Sequence, residues 1–353
     1  MLAEWAWMDD QSPPHQRRPR YRGKNPRRFE ERYKEHDPQR YAGTVEHVMA
    51  KGQTPAGMHR PICVQEILSV LDPKPGEVAL DCTLGYGGHS SALMPRLLPG
   101  GMLFAVDVDP LELPRSQQRM RDQGYDEVTF VARQMNFAAI RSLLGEAGGG
   151  FDCILADLGV SSMQLDNPAR GFTYKADGPL DLRLNPQRGR PASELLKAVT
   201  LPRLEKILAD YADEPYAREI ARAILRAPES LDTTAKLARV IRSGLGNLEE
   251  KLVKKSLART FMALRIAVNE ELSVLDHFLE VLPACLKPGG RVAILSFHSG
   301  EDRRVKRAFA IGLEEAIYDR ISPAPILPGP EEKRANPRSG PAKLRWAVRS
   351  SKP

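Results

Sequence analysis

The amino-acid sequence predicts an α/β fold: a doubly wound, mostly parallel sheet with an inserted helical domain. Two observations support it. Apolar segments of strand length recur at residues 78–84, 102–108, 128–133 and 151–158, separated by helical or loop connections, and this rhythm is typical of parallel sheets. The rhythm then gives way to a long run of helical patterns before the next buried strand, residues 291–297. An insertion of helices into the sheet accounts most simply for that interruption.

The first predicted strand leads into a glycine turn. Gly85, Gly87 and Gly88 allow a sharp backbone turn and a close approach to a ligand. His89 opens the next helix, whose free N–H groups face the same way. Asp107 ends the following strand, where nucleotide-binding α/β folds hold a ribose hydroxyl. The glycine spacing does not complete the pattern G-x-G-x-x-G, which argues against a nicotinamide-dependent oxidoreductase.

The chain divides into three parts. Residues 1–58 are expected to form a basic, flexible arm, because residues 16–28 are rich in arginine and proline and nearly free of aliphatic side chains. This arm either lies on nucleic-acid phosphates or is a solvated tail. The sheet domain takes residues 59–167 and 257–353, and the inserted helical domain takes residues 168–256.

The clearest amphipathic pattern in the chain follows the insertion. An apolar stripe steps by three and four residues from Leu257 to Leu282 and predicts one continuous helix that leads back to the sheet. We assign this stripe to the core and to no chemistry. Arg259, Arg265 and Asn269 lie away from it, so they are available to face a cleft.

The composition sets broad limits on function. The chain has 353 residues, 42% of them hydrophobic and 27% charged, as in soluble globular proteins. A net charge of +7 and a pI of about 9.2 favour a polyanionic partner. No apolar run is long enough for a membrane span, and the start lacks a secretory pattern. The four scattered cysteines indicate a reducing compartment and no metal site, so we expect a cytoplasmic protein.

Polar side chains follow the fourth and fifth predicted strands. Asp157 ends the fourth strand and precedes a polar loop with Gln164, and His298 follows the fifth strand. Carboxyl ends of parallel strands meet at one edge, so these residues should face the same crevice as the glycine turn. The long loop 170–183 is dense in Gly, Asp and Arg, and ordered loops of this kind are often functional. A Ser/His/Asp hydrolase is disfavoured, because no serine lies in a G-x-S-x-G elbow.

Together these segments resemble the ribosomal RNA small subunit methyltransferase H family, also called MraW. The matching segments, in family order, are Gly85–Ser90, Asp107–Pro110, Asp157–Asp166, Arg170–Phe172, Asp177–Arg183, Ala258–Phe261, Leu264–Asn269, Ser296–Ser299, Glu301–Arg303, Asn336–Arg338 and Leu344–Arg345. The resemblance implies a Rossmann-like class I methyltransferase. Such an enzyme uses S-adenosylmethionine to methylate the N4 amine of a cytidine in the decoding region of 16S ribosomal RNA, with the small ribosomal subunit as partner. Residues 1–58 are taken to lie outside the resemblance.

The resemblance also assigns cofactor contacts to particular residues. They are Gly87, Gly88 and His89 on the methionine side, Asp107 at the ribose, Phe137 beside the adenine, and Asp157 and Gln164 in the loop after the fourth strand. The sequence departs from the family pattern at Met163, Lys255–Leu257 and Gly300. These departures bear on the geometry of the RNA side more than on the reaction class.

Catalytic and RNA-binding roles complete the expectations. Asp157 is the candidate catalytic residue, as an acceptor for the N–H groups of the target amine, although it serves only the cofactor in an alternative interpretation. Phe172 and Tyr174 are candidates to receive an unstacked base. The expected RNA contacts are Arg170, Arg183, Arg259, Arg265 and His298, with structural ion pairs as the alternative for the arginines.

Two other functions stay open on the sequence alone. One is a non-catalytic, RNA-binding ribosome assembly factor on a methyltransferase fold. The other is methylation of a different nucleic acid, such as DNA or another RNA. The sequence does not distinguish a monomer from a homodimer.

Overall fold

Seven strands form one sheet in the part of the chain that the structure, a computed structural model, describes, which is residues 61–351. The strands are β1 (Val78–Asp81), β2 (Met102–Asp107), β3 (Phe130–Gln134), β4 (Phe151–Asp157), β5 (Leu286–Ser296), β6 (Tyr318–Ile321) and β7 (Lys343–Arg349). Their order in the sheet is β3-β2-β1-β4-β5-β7-β6. Strands β1 to β5 are parallel, and β7 runs antiparallel to both of its neighbours. The predicted doubly wound, mostly parallel sheet is confirmed. The predicted arm, residues 1–58, lies outside the described residues.

Twelve α-helices connect or flank these strands in the described chain. They are α1 (Val64–Leu71), α2 (Gly88–Leu97), α3 (Leu113–Asp122), α4 (Ser162–Asp166), α5 (Ala192–Ala198), α6 (Leu201–Ala212), α7 (Ala217–Leu225), α8 (Thr234–Leu245), α9 (Glu250–Asn269), α10 (Glu271–Cys285), α11 (Ser299–Glu314) and α12 (Pro330–Ala335). Short 3₁₀ segments occupy Phe137–Leu143, Pro168–Arg170 and Pro337–Ser339.

Helices cover both faces of the sheet. Successive side chains of a strand point to opposite faces, so Leu80 of β1 and Ile154 of β4 join a core with α10 and α11. Their neighbours Ala79 and Leu155 join a second core with α1 and α2. This double burial is what a parallel sheet requires, and it leaves the strand ends as the accessible part of the sheet.

A third core lies within the helical region. It includes buried side chains of α5 to α9 and draws on residues from Phe172 to Leu264. The predicted single helix from Leu257 to Leu282 is wrong, because Glu270 adopts a left-handed conformation with φ 53° and separates α9 from α10. The stripe before the break packs in the helical core, and the stripe after it packs against the sheet. The proposed domain division at residues 168–256 stays a prediction.

Two searches of residues 61–351 bear on other classes of protein. No helix there is both long and apolar enough to cross a membrane. No three His, Cys, Asp or Glu side chains of that segment gather as metal ligands. Cys63, Cys82, Cys153 and Cys285 are all buried and free.

Candidate active site

A cleft of about 420 Å³ opens at the carboxyl ends of the parallel strands. It lies where the strand order reverses, with β2 and β3 beyond β1 on one side and β5 beyond β4 on the other, the usual ligand position in open α/β sheets. Its volume suits a small-molecule ligand. Of the predicted site residues, those that line it are Gly88, His89, Asp107, Phe137, Asp157, Gln164, Arg265 and His298. Those that do not are Gly87, Arg170, Arg183 and Arg259.

The glycine turn is shaped by backbone conformation and by close packing. Gly87 precedes α2 with φ 84°, which a larger residue adopts only with strain. A Cβ atom on Gly88 would lie 3.0 Å from the Pro61 ring, so glycine there lets the start of α2 approach that proline. The Gly85 N–H donates to the Asp107 Oδ2 atom at 2.8 Å, which ties the turn to the end of β2.

Asp107 is a half-buried carboxylate with acceptor capacity to spare. Its Oδ2 accepts from Gly85 N, and its Oδ1 accepts from Asp109 N at 2.9 Å. An ionised carboxylate has about four acceptor positions, so two stay available for hydroxyl groups in the cleft. Burial raises the pKa of Asp107 to about 6, against the lowering effect of the two backbone N–H groups.

Asp109 connects the ribose-side acid to the loop after β4. It is fully buried, and its Oδ2 accepts from Gln164 Nε2 and from Arg170 at 2.7 Å each. Arg170 also donates to the Leu184 carbonyl at 2.7 Å. A capping box with Ser161 fixes the Gln164 backbone and side chain. These hydrogen bonds fix the position of Gln164 at the cleft. The Arg170 guanidinium pairs with groups inside the protein, which favours a structural ion pair over an RNA contact for that arginine.

Asp157, at the end of β4, is half-buried and has one buried, unused acceptor atom. Its N–H donates to Thr83 Oγ1 at 2.7 Å, and its Oδ2 lies 3.5 Å from His89 Nδ1. Its Oδ1 is buried and accepts no hydrogen bond within the described chain. Burial raises the pKa of Asp157 to about 6; His89 opposes this shift, and Asp81 and Glu301 reinforce it. An acceptor in this state suits a ligand that brings its own N–H group.

His298 follows β5, caps α11 and lines the same cleft. Its Nδ1 accepts from Gly300 N at 3.2 Å, while Glu301 Oε2 accepts from Phe297 N at 2.8 Å. Burial of Glu301 acts to raise its pKa, but His298, the Phe297 N–H and Arg265 outweigh it and lower the pKa. Arg265 makes a bidentate ion pair with Glu271, at 2.8 and 2.7 Å. That pairing also favours the structural alternative for Arg265.

The other predicted contacts lie away from the cleft. Arg183 makes a bidentate ion pair with Asp181, both contacts 2.7 Å long. The half-buried Arg259 side chain makes no ion pair or hydrogen bond within residues 61–351. Phe172 and Tyr174 belong to the helical core and do not line the cleft, contrary to the expectation that one of them receives the base.

Several lining residues were not expected from the sequence. Thr83 holds the Asp157 backbone, and its only sequence signal is a polar side chain just beyond β1. Arg338 donates to Asp166 Oδ1 at 2.6 Å and so joins the C-terminal segment to α4 across 172 positions. Asn269 at the end of α9, which the sequence left available to face a cleft, does line it and donates to the Leu182 carbonyl at 2.8 Å. Such long-range contacts leave no local pattern.

The lining fits a nucleoside cofactor that carries a positive charge. Asp107 has free acceptor positions for vicinal hydroxyls, and the Phe137 ring, held edge-on against Phe278 at 5.2 Å, offers an aromatic surface. Asp157 adds a second carboxylate to the same lining. S-adenosylmethionine has matching parts: a ribose, an adenine and a sulfonium.

Comparison with known proteins agrees with this geometry. The sequence model of the MraW methylase family matches residues 56–350. The chain is 48% identical over 349 residues to a ribosomal RNA small subunit methyltransferase H 1 of Lachnoclostridium phytofermentans, covering 97% of this chain and 95% of the relative. It is 49% identical over 350 residues to a methyltransferase H 2 of Alkaliphilus metalliredigens, covering 97% and 100%.

These alignments also correct one expectation. Because they cover 97% of the chain, they include most of residues 1–58, which the resemblance was taken to exclude. The arm is therefore shared with these relatives. The cofactor of this enzyme is S-adenosylmethionine, and the chain belongs to the MraW methylase family.

Proposed function

We propose that the protein methylates the N4 amine of a cytidine in the decoding region of 16S ribosomal RNA, with the small ribosomal subunit as substrate. Support for the RNA comes from the names of the relatives and from the net charge of +7. The observation that carries the choice of an amine is the Asp157 Oδ1 atom, a buried acceptor in the cleft without a donor. An exocyclic N–H group supplies what it lacks.

The chemistry asks the protein to position a weak nucleophile. The N4 lone pair of cytosine is delocalised into the ring, so alignment and charge stabilisation must supply most of the acceleration. S-adenosylmethionine supplies an electrophilic methyl group; the new bond joins N4 to the methyl carbon as the carbon–sulfur bond breaks. Asp157 accepts a hydrogen bond from N4–H and stabilises the positive charge that develops on the amine. The released N4 proton passes to Asp157 and then to water.

The cofactor contacts divide between direct and supporting residues. Asp107 binds the ribose hydroxyls, and Phe137 packs on the adenine. Gly87, Gly88 and His89 form the turn beside the methionine part, and His89 also lies 3.5 Å from Asp157. Gln164 acts from the loop whose position Asp109 fixes at 2.7 Å.

RNA contacts outside the cleft are assigned to arginines with donors to spare. Arg259 is the strongest candidate, because its side chain makes no internal polar contact within the described chain. Arg183 contributes from its exposed side while Asp181 holds it. We place the protein in the cytoplasm, where the substrate subunit is assembled.

The direct test is transfer of labelled methyl from S-adenosylmethionine to unmethylated small subunits, naked small-subunit RNA and DNA, followed by nucleoside analysis. Label in N4-methylcytidine from the subunits is the expected result. Cofactor binding without label on any substrate would favour an assembly factor instead. Label on another nucleoside or on DNA would overturn the proposed substrate and keep the cofactor site.

A further inference from the structure

A second unsatisfied polar atom belongs to a residue that lines the same cleft. Within residues 61–351, five buried side-chain polar atoms have no hydrogen-bond partner, and two belong to cleft residues: Asp157 Oδ1 and His298 Nε2. Such atoms are costly to leave unpaired, so their presence together in a ligand cleft points to partners that the ligand brings. Asp157 Oδ1 is an acceptor, and the hydrogen bonds of the imidazole ring decide whether His298 Nε2 is a donor or an acceptor.

The His298 ring is fixed so that Nε2 is a donor. Its Nδ1 accepts the Gly300 N–H at 3.2 Å, so in the neutral ring the proton lies on Nε2. Nε2 lies 3.2 Å from Glu301 Oε1 and makes no hydrogen bond within the described chain. The side chain is 8% exposed. A Cβ atom at Gly300 would lie 3.1 Å from the ring, so the glycine leaves room for this orientation.

The donor and the acceptor come from neighbouring strands. In the parallel β4–β5 pairing Asp157 lies opposite Leu295, and Leu158 N donates to the Leu295 carbonyl at 2.9 Å. His298 follows Leu295 by three residues, and adjacent strands are about 4.8 Å apart. Both residues line the same cleft, so one ligand there is in a position to pair with both atoms.

We infer that Asp157 Oδ1 and His298 Nε2 together read the amino–imino edge of the target base, Asp157 accepting from the exocyclic N4–H and His298 donating to the ring nitrogen N3. This inference rests on the proposed function and adds base selectivity to it. Cytosine presents a donor next to an acceptor, whereas uracil presents an acceptor next to a donor and would leave both protein atoms unpaired. Such mismatches give the largest discrimination that binding sites achieve.

The test combines one protein change with one atom change in the RNA. His298→Asn removes the Nε2 donor but keeps a good helix-capping side chain for α11. In small subunits assembled with ligated RNA, 3-deazacytidine at the target keeps the N4 amine and replaces N3 with a C–H group. Single-turnover methylation is measured for both proteins on both RNAs, so that the altered basicity of the analogue cancels in the ratio. Ser299→Ala, next to His298 and outside the cleft lining, is the matched control.

We expect His298→Asn to slow methylation of cytidine by about 10- to 100-fold, the effect of one buried hydrogen bond. Replacing cytidine with 3-deazacytidine should slow methylation by wild-type protein and by the Ser299→Ala control. The same replacement should slow methylation by His298→Asn much less. Unchanged S-adenosylmethionine affinity confirms that the variant is folded. Equal sensitivity of both proteins to the analogue would overturn the inference while leaving the N4 product intact. Absence of N4-methylcytidine with wild-type protein would instead count against the proposed function.

Discussion

The cleft has two walls that differ in their hydrogen bonding. The loops after β1 and β2 form the first wall, where the acids already accept hydrogen bonds from protein groups. Asp107 lines this wall and accepts from two backbone N–H groups, and Asp81, buried behind it, accepts from Ser90. On the wall after β4 and β5, Asp157 Oδ1 and His298 Nε2 are buried without partners in the described chain. Every carboxylate oxygen of Asp107 on the first wall already has a protein donor before a ligand arrives, whereas two buried polar atoms of the second wall have no partner. This difference suits a fixed cofactor on one side and a substrate that completes the site on the other.

The two walls are joined by a buried ion pair, and breaking it gives the largest expected effect. Arg170→Met leaves the Asp109 carboxylate buried without its cation, so we expect the free energy of unfolding to fall by about 3–5 kcal/mol. Denaturant titration measures it. Arg259→Met is the control, with a change within about 0.5 kcal/mol, because Arg259 makes no internal pair in the described chain. Equal losses in the free energy of unfolding of the two variants would contradict the role of the Asp109–Arg170 ion pair in joining the two walls.

Asp107→Asn tests whether the first wall binds the cofactor. An amide keeps only one acceptor oxygen and turns its NH₂ group towards a backbone N–H, so we expect S-adenosylmethionine affinity to fall by about 10- to 100-fold. Calorimetric titration measures this change. Asp122→Asn, an exposed change on α3, should leave affinity unaltered. Unchanged affinity in Asp107→Asn would remove Asp107 from the cofactor site.

The pH dependence of activity is expected to follow both acids. Because the pKa values of Asp107 and Asp157 are raised to about 6, both are protonated below that pH and lose acceptor capacity. We expect kcat/KM for the cofactor to fall at least about tenfold per unit below pH 6 and to level off above it. Replacing Asp157 with Asn should make the fall in kcat shallower. A flat profile between pH 5 and 7 would contradict these assignments.

Stability should move the opposite way over the same pH range. The ordinary pKa of each acid is 3.8, so the unfolded chain releases these protons before the folded one. The contribution of each protonated acid to stability is therefore fully present below about pH 4 and is lost as the pH rises to 6. Each acid then lowers the free energy of unfolding by at most about 1.4 kcal/mol per pH unit. Urea titrations at pH 4, 5 and 6 measure this change in the free energy of unfolding, with Asp157→Asn as the comparison.

Local sequence patterns were enough to place the acids of the first wall, and Asp157 of the second wall, at the cleft. Glycines after β1 and acids at the ends of β2 and β4 are neighbours in sequence of the strands that position them, so strand periodicity was enough to find Asp107 and Asp157. Phe137 needed the family resemblance, because a single aromatic residue after β3 is equally typical of a core position. The sheet edge was harder to recognise: β7 carries Lys343 and Arg345, whose charges pair with Asp302 and obscure the strand pattern.

The rest of the second wall depends on contacts that no local pattern shows. The break at Glu270 interrupts a stripe whose spacing continues in phase across it, with no glycine or proline to mark the end of α9. That break brings Arg265 and Glu271 together at the cleft. The arginines Arg170, Arg183 and Arg265 read as phosphate contacts in sequence, but their carboxylate partners became visible only in three dimensions.

The most direct test of the difference between the walls compares binding and chemistry in Asp157→Asn. S-adenosylmethionine affinity is measured by titration, and the single-turnover rate of methyl transfer is measured on small subunits with the cofactor saturating. We predict that affinity changes by less than about tenfold while the rate falls by about 100- to 1,000-fold, as when one preorganised group at a reacting centre is removed. A near wild-type rate of methyl transfer would contradict the assignment of Asp157 to substrate binding on the second wall. A loss of cofactor affinity large enough to explain the slower rate would contradict it as well.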